Sequence, residues 1–379
     1  MGDDKFSYLK KVSIVVFSLL SFSQTFADVP VDYIGQFVQN SNCVAVSAGK
    51  AYIGSGTKLL VVDISNPAEP ALLGESQGLI SDIYDVAVKG NFVYAADYES
   101  GLQIFDVNNP ANPVCVSNLS LGGFTCGISV YDNFAYIANS DIGLQIVNIS
   151  DPCNPVLTGT YELSSGSFGV AVSGSYAYVA DGIYGLQIIN VDNTTSPELT
   201  GSYNTSGISR DVAIFDHYAL VADGAGGLRI IDVENPEDSS LIVTYETIDN
   251  ARAVSVAKNF AYVADTAGGL QIIDMTIPDS PLYVYGYNTN GNCVAVCSSG
   301  SFVFEAEGES GLGILRIGLK GDFVQDGKLD VSDLNLFALN WLQESCLGPE
   351  GCDGADLDSS GVVEFKDLAI LASNWLSGV

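Results

Sequence analysis

Short apolar stretches alternate with turn residues along most of the chain and recur every 42 residues. The first stretch of each repeat begins at a β-branched residue, at Val44, Val86, Ile128, Val170, Val212, Val254 and Val296. A second stretch follows a short turn, a third mostly begins with Gly-Leu, and a fourth comes after a turn rich in proline. Runs of this length, separated by Gly, Asn, Asp and Pro, predict four antiparallel strands in each repeat.

Seven such repeats predict an all-β, seven-bladed propeller, because four strands within a period of about 40 residues are typical of a propeller blade. The last repeat stops after its third strand, whereas residues 33–38 (YIGQFV) precede the first repeat and look like a fourth strand. We therefore expect the N-terminal strand to complete the last blade and close the ring, which hides edge strands. The alternative is an open solenoid, which would leave that strand without a place.

The third strand and the turn after it carry a recurring sequence, seen in residues 60–67 (LVVDISNP) and 230–236 (IIDVENP). These residues resemble the LVIVD repeat of secreted bacterial β-propellers, and the resemblance recurs in register over roughly residues 33–318. It implies a propeller fold and an interaction or surface role, and it carries over no catalytic residues.

Residues 1–27 have the order of features found in a secretory signal peptide. Lys5, Lys10 and Lys11 precede an apolar run over 12–20, and small residues lead up to Ala27. The run is too short for a stable membrane anchor, and no later segment is long and apolar enough to cross a membrane. We therefore expect cleavage after Ala27 and a secreted or cell-surface bacterial protein. The alternative is a buried strand of the mature fold.

The chain is strongly acidic, with 45 Asp and Glu against 14 Lys and Arg and a formal net charge of −31. This charge argues against broad contact with nucleic acid or anionic lipid, which needs clustered Lys and Arg. The single histidine, His217, excludes any mechanism that needs two imidazoles, and it lies where other repeats place a hairpin turn.

After residue 320 the repeat pattern gives way to two acidic loops with the spacing of EF-hand calcium loops. Oxygen ligands for Ca²⁺ would come from the side chains or carbonyls of Asp322, Asp326, Lys328, Asp330, Asp333, Asp356, Asp358, Ser360, Val362, Glu364 and Asp367. Val324 stands where the first loop should supply an oxygen, so we expect that loop to bind more weakly. The alternative is a pair of acidic helix starts that bind no metal.

Each loop precedes an apolar helix face, and the faces end at Trp341 and Trp375, 34 residues apart like the loops themselves. This duplication resembles a type I dockerin domain over residues 321–377, a small α-helical module. The resemblance implies calcium-dependent folding and docking onto a cohesin-like partner, often in assemblies that degrade polysaccharides. Dockerins often carry Ser or Thr at loop positions ten and eleven, whereas this chain has Val331, Ser332, Phe365 and Lys366 there, which leaves the partner class open.

These features divide the chain into a signal peptide at 1–27, a propeller at 28–319 and a dockerin-like domain at 320–379. In an exported chain, cysteines are disulfide candidates before they are redox or zinc residues. Cys346 and Cys352 flank a Gly-Pro-Glu-Gly turn, and we expect them to pair. The partners of the other six do not follow from the sequence, and some of the six suit small buried apolar positions: Cys43, Cys115, Cys126, Cys153, Cys293 and Cys297.

The residues just before the first strands vary from repeat to repeat, and in a propeller such loops surround one mouth of the central channel. The candidate ligand-binding residues are Tyr84, Asp85, Phe168, Arg210, Asp211 and Arg252. Aromatic, guanidinium and carboxylate groups suit a sugar or a peptide segment. The alternative is packing and salt bridging between blades.

A second polar position recurs after the second strand of each repeat: Ser55, Asp97, Asn139, Asp181, Asp223, Asp265 and Glu307. A ring of carboxylates could hold a metal. Asp and Asn in such turns more commonly accept N–H bonds within their own turn, so we expect a structural role.

The sequence thus predicts an exported, non-catalytic binding or scaffold protein, attached through calcium to a cohesin-like protein or another surface component. The propeller mouth would bind a glycan or a peptide, with no nucleic-acid partner. The alternative is a polysaccharide-active enzyme, a glycoside hydrolase or lyase, that uses Asp85 and Asp211 in the channel mouth.

Overall fold

A computed structural model describes residues 31–164, 166–289 and 291–318, together with Leu334, Val363, Asp367, Leu368 and Leu371. Residues Asp32–Arg316 form one compact unit. Within the described residues, the strands form seven four-stranded antiparallel sheets. The predicted all-β, seven-bladed propeller is therefore confirmed. No helix in this described part of the chain is long and apolar enough to cross a membrane.

The strands follow the 42-residue repeat closely. The first strand of the chain is β1 (Val31–Phe37). Blades 1 to 3 consist of β2 (Cys43–Ser47), β3 (Lys50–Ser55), β4 (Lys58–Asp63) and β5 (Ala71–Glu75); β6 (Ile83–Lys89), β7 (Phe92–Asp97), β8 (Gly101–Asp106) and β9 (Val114–Leu119); β10 (Thr125–Tyr131), β11 (Phe134–Asn139), β12 (Gly143–Asn148) and β13 (Val156–Glu162).

The second half of the ring repeats the same order. Blades 4 to 6 consist of β14 (Gly169–Ser173), β15 (Tyr176–Ala180), β16 (Leu186–Asn190) and β17 (Glu198–Tyr203); β18 (Asp211–Phe215), β19 (Tyr218–Ala222), β20 (Leu228–Asp232) and β21 (Ser240–Tyr245); β22 (Ala253–Ala257), β23 (Phe260–Ala264), β24 (Leu270–Asp274) and β25 (Leu282–Tyr287). Blade 7 contains β26 (Ala295–Ser299), β27 (Phe302–Ala306) and β28 (Leu312–Ile317), and a 3₁₀ turn covers Pro236–Asp238.

The apolar residues form clusters between neighbouring blades rather than a single central core. Between blades 2 and 3, for example, Tyr94 and Leu102 pack with Ile128 and Ala135. The two middle strands of a blade are therefore buried on both faces, whereas the fourth strand is exposed at the outer edge, as in blade 2. Each blade is thus stabilised mainly by the blades beside it.

The ring closes through the N-terminal strand. Strand β1 pairs with β28, so the last sheet has the order β1-β28-β27-β26. The Gln36 side-chain amide donates to the Ser310 carbonyl at 2.9 Å, and Asp32 forms an ion pair with Arg316 at 2.7 Å. The first strands of neighbouring blades are in contact all the way round, including β26 with β2. The predicted closing strand is confirmed, and the open solenoid is wrong.

Glycines allow the outer strands of several blades to approach the next blade closely. A Cβ on Gly201 would lie 1.7 Å from the carbonyl oxygen of Pro236, which belongs to the turn after the third strand of blade 5. Gly35 in β1 makes the same kind of contact with blade 1, where a Cβ would lie 2.1 Å from the Pro67 oxygen. The closing strand therefore packs as a genuine fourth strand of its blade.

Several predicted features lie outside the described residues: the signal peptide at 1–27, the Cys346–Cys352 disulfide, and all of the calcium ligands except Asp367. Asp367 is buried, and it has helical conformation, as do Leu334, Leu368 and Leu371. These residues belong to a unit that is separate from Asp32–Arg316.

The six propeller cysteines are free thiols in the described part of the chain. Cys43 and Cys293 fill buried positions, and their neighbours include the Ile83 carbonyl and the Glu305 carboxyl group. Burial raises the pKa of both thiols well above the usual value. The six side chains are spread over separate strands and turns, and the two buried ones act as small apolar residues, the role that the sequence indicated for some of the six.

Candidate functional site

One end of the ring carries the loops that lead into the first strands and the turns that join the second strands to the third. Backbone bridges tie the turn of one blade to the incoming loop of the next, as Gly182 does with Ser209 and Gly224 with Ala251. The residues that follow these bridges, including Arg210 and Arg252, are held in place by the sheet framework rather than by free loops.

Seven residues, one from each blade, line a single cavity of about 390 Å³ at this end of the channel. These residues, which we call the mouth ring, are spaced 42 apart: Asn42, Tyr84, Cys126, Phe168, Arg210, Arg252 and Val294. All six candidate ligand-binding residues named from the sequence line this cavity, because Asp85 and Asp211 follow mouth-ring residues directly. The repeated strands are nearly alike, whereas the mouth ring varies in size, charge and polarity.

The two carboxylates of the cavity join neighbouring blades. Asp85 accepts N–H bonds from Val86 in its own strand and from Ile128 in the next blade, both at 2.8 Å. Asp211 repeats the arrangement with Val212 at 2.9 Å and Val254 at 3.0 Å. All four carboxylate oxygens therefore accept backbone hydrogen bonds, which gives both residues a structural role.

Burial raises the pKa of both carboxyl groups. The pKa of Asp85 rises from 3.8 to about 7, mainly through burial and to a smaller extent through the negative charge of Asp211, against the effect of its backbone hydrogen bonds. The pKa of Asp211 rises to about 6 for the same main reason. In the folded protein both groups therefore bind a proton at a pH where an unfolded chain would have released it.

We expect Asp85 to make the propeller less stable as the pH rises. Between pH 3.8 and about 7 the folded state holds a proton that the unfolded state has lost, so the contribution of Asp85 to stability falls across this window. The Asp85→Asn side chain cannot titrate, so this substitution changes the free energy of unfolding by an amount that does not depend on pH. Denaturation curves from pH 4.5 to 8 should show wild type losing stability relative to this variant.

Asp211→Asn is the matched comparison for this prediction. The pH range over which Asp211 lowers the stability of wild type should end near pH 6, instead of near pH 7 as for Asp85. Parallel stability curves for wild type and Asp85→Asn would contradict the assignment.

Two of the four arginines in this acidic chain lie in the mouth ring. The Arg210 guanidinium lies over the Phe168 ring, with its Cζ 5.8 Å from the centroid. The pKa of Arg252 is lowered, first by burial and second by the like charge of Arg210, so the two cations share one region. Neither arginine forms an ion pair within the described residues, whereas Arg229 and Arg316 both do.

Aromatic side chains form a stack on the opposite part of the ring. The Tyr84 and Tyr98 rings are stacked at 4.4 Å, and the Tyr98 and Phe124 rings at 4.5 Å. Both faces of Tyr98 are therefore covered by protein. Sequence reasoning named neither Phe124 nor the mouth-ring residues Asn42, Cys126 and Val294 as candidates, although the 42-residue spacing from Tyr84 identifies the last three.

The polar position after the second strand forms the expected bond in blade 3, where the Asn139 side chain accepts the Asp141 N–H within its own turn at 3.2 Å. Blade 5 differs. Asp223 is fully buried and accepts hydrogen bonds from Thr205 at 2.5 Å, Ser209 at 3.1 Å and the Gly207 N–H at 2.9 Å. It also forms an ion pair with Arg229 at 3.1 Å. These partners lie on the loop that enters the same blade and on its third strand, so the expectation of bonds within the turn is wrong here.

His217 lies in the hairpin turn between β18 and β19, at the end of the ring opposite the mouth, as the sequence predicts. Its Nδ1 lies 3.0 Å from an Asp216 carboxylate oxygen, and its ring packs against Tyr218. It takes no part in the mouth.

Comparison with known proteins identifies the repeat. Six segments match the family described as LVIVD repeat, and together they cover more than half of the 379 residues: 40–77, 82–120, 122–162, 167–205, 206–247 and 249–289. A comparison with curated proteins finds no match.

Solved propellers have the same fold at low sequence identity. The β-propeller domain of Cps50 (Swd1) from Myceliophteria thermophila has a TM-score of 0.64 at 14% identity, covering 76% of this chain and 100% of that chain. The WD40 repeats of RRP9 have a TM-score of 0.64 at 10% identity, covering 78% and 99%. The computationally designed Ika8 protein has a TM-score of 0.57 at 10% identity, covering 75% and 98%. At these identities the likeness shows the fold alone.

Proposed function

The chain belongs to the LVIVD repeat family, and from this premise we propose that it is a non-catalytic binding protein whose ligand site is the mouth ring. The observation that supports this most directly is the loss of symmetry at one position of a repeated scaffold. Seven equivalent residues converge on one cavity and differ in chemistry, whereas the strands that hold them are repeated. A purely structural position would be expected to repeat with its strand.

The hydrogen bonds of Asp85 and Asp211 favour binding over catalysis. Glycoside hydrolysis needs one carboxyl group that delivers a proton and a second that acts as base or nucleophile. In the mouth both oxygens of each group already accept backbone N–H bonds, one from its own strand and one across a blade boundary. Turning either group toward a substrate would break contacts that join the blades, so the enzymatic alternative has less support.

A ligand of the mouth should be sensitive to Tyr84, which is 44% exposed and lines the cavity. Replacing it with alanine should weaken binding by about tenfold or more, the usual effect of removing an exposed aromatic anchor. The measurement is binding of the intact chain to a panel of soluble polysaccharides and peptides, with Tyr131→Ala as control. Tyr131 is similarly exposed, at 42%, but lies at the other end of its strand. Turnover of any polymer, abolished by Asp211→Ala, would contradict the binding-only function.

We also propose that the protein is exported and that residues 320–379 attach it, through calcium, to a cohesin-like protein or another surface component. An assembly that degrades polysaccharides is one setting for such a role. The support is the order of features in residues 1–27 and the spacing of two acidic loops. The donor set is rich in carboxylate oxygens, which calcium prefers, and Asp367 is a buried carboxylate that fits this use.

Calcium affinity should depend more on the second loop than on the first. Asp356→Ala should weaken calcium binding by about tenfold or more, because it removes a charged ligand from the more complete set. Asp322→Ala should have a smaller effect, since Val324 already leaves the first loop short of an oxygen. Calorimetric titration of the intact chain tests both, with Asp353→Ala as a control outside the loops. Equal effects of the two loop variants would show that the loops are coupled, and absence of heat in wild type would refute the metal assignment.

A further inference from the structure

We infer that the mouth ring binds an acidic peptide segment of a protein partner, whose carboxylate meets Arg210 and Arg252 while its apolar neighbours contact exposed isoleucines around the mouth. This inference rests on the proposed binding function and specifies the chemistry of its ligand.

The arginines supply the charge that selects the ligand. Arg210 and Arg252 are adjacent members of the mouth ring and line the same cavity. Arg210 is held against Phe168, and neither guanidinium has an ion-pair partner among the residues of the described ranges. Two neighbouring cations that repel each other are stabilised by an anion between them, and a guanidinium pairs with a carboxylate through two parallel hydrogen bonds.

The carboxylates in the cavity do not cancel this preference. Asp85 and Asp211 lie one residue further along their strands than the mouth ring, and both carboxylates accept backbone N–H bonds. Neither forms an ion pair with Arg210 or Arg252 within the described part of the chain. The two guanidinium groups therefore keep their donors for a ligand.

Large apolar side chains are exposed in the loops and turns at the same end of the ring as the mouth. These residues, which we call the isoleucine rim, lie in the incoming loops and one strand-to-strand turn: Ile80, Ile183, Ile208 and Ile248, exposed by 82%, 61%, 43% and 73%. Ile183 and Ile208 are brought together by the bridge between Gly182 and Ser209. Exposed apolar residues around a charged cavity are typical of a protein-interaction site.

The same surface suits a polypeptide better than a sugar. Sugars bind to open aromatic faces, but both faces of Tyr98 are covered by Tyr84 and Phe124, and Phe168 is covered on one face by Arg210. Tyr84, itself stacked on Tyr98 on one side, is left as the exposed aromatic residue of the mouth ring. The cavity of about 390 Å³ is large enough for one or two side chains, and the isoleucine rim adds aliphatic surface at the same end of the ring. A carboxylate flanked by apolar residues matches both features.

The test is selection of a phage-displayed library of random heptapeptides on the intact chain. We expect enrichment of sequences that place Asp or Glu beside apolar residues. The best peptide, measured by fluorescence anisotropy, should bind at least about tenfold more tightly than its Gln or Asn counterpart. Arg210→Gln and Arg252→Gln should each weaken binding of the acidic peptide by about tenfold or more, with unchanged melting temperature.

The control variant carries Lys89→Gln and Lys258→Gln together. It removes twice the charge of either arginine variant, but at the opposite end of the ring, and should bind the acidic peptide as wild type does. Failure to enrich acidic sequences would overturn the inference, as would acidic peptides whose affinity is unchanged in both arginine variants. Binding of oligogalacturonate that is lost in Arg252→Gln, without any selected peptide, would overturn the peptide ligand but leave the proposed binding function intact.

Discussion

Phe37→Ala should lower the free energy of unfolding of the propeller by about 3–5 kcal/mol, the usual cost of truncating a buried Phe. Phe37 lies in the closing strand β1 and is only 8% exposed. It belongs to the apolar cluster between blades 7 and 1, with residues such as Leu60 and Ile314. Its loss leaves a cavity at the one boundary where the two ends of the repeat region meet. The free energy of unfolding is measured by denaturant titration, with the loss of β-structure followed by far-UV circular dichroism.

Val38→Ala is the control for this prediction. Val38 is the next residue in the chain and is 71% exposed, so its truncation should change the free energy of unfolding by no more than about 0.5 kcal/mol. If the two variants were equally stable, the closing strand would contribute little to the ring, and its pairing with β28 would be a minor contact.

Asp223→Ala should destabilise the propeller by about 3–5 kcal/mol, because it leaves Arg229 as a buried charge without its partner. Asp223 is fully buried, and the Arg229 side chain is 13% exposed. The substitution also removes the acceptor for two hydroxyl groups and one N–H of the incoming loop. Thermal and denaturant unfolding of the variant measure the loss.

Blade 3 provides the matched control for this site. At the equivalent positions it has Asn139 and Gln145, whose side chains form a hydrogen bond at 3.0 Å. The double variant Asp223→Asn with Arg229→Gln copies this neutral pair into blade 5 and should recover most of the loss. A double variant as unstable as Asp223→Ala would show that blade 5 depends on the hydroxyl contacts of Asp223 instead of on the charge of Arg229.

The blades and the closing strand can be predicted from the sequence because a repeated scaffold specifies each element several times. A single stretch such as residues 44–46 is ambiguous, but seven copies in register, with a turn after each, leave few alternatives. The position of residues 33–38 followed from counting four strands for each repeat, since only the last repeat lacked a fourth strand. The convergence of Tyr84 and Arg252 on one end of the channel follows from the ring geometry.

The contacts of individual polar groups could not be predicted in the same way. The bonds of Asp223 reach residues 14 to 18 positions earlier, because the loop that enters the blade folds back beneath the turn. Nothing in the local sequence distinguishes this arrangement from an ordinary turn. The state of the six propeller cysteines could not be predicted for a similar reason. The sequence indicates how many cysteines are present, whereas their pairing depends on which strands bring two of them together.

The closing strand also has a consequence for how the protein folds during synthesis. Asp32 and Arg316, which form an ion pair in blade 7, are 284 residues apart in the chain. Strand β1 leaves the ribosome long before β28 and must therefore wait for its partner until nearly the whole repeat region has been made. Early blades can form in order, but the ring closes only in a final long-range step, when β1 pairs with β28. A chain that is truncated before β28 would expose two unpaired strand edges that favour aggregation.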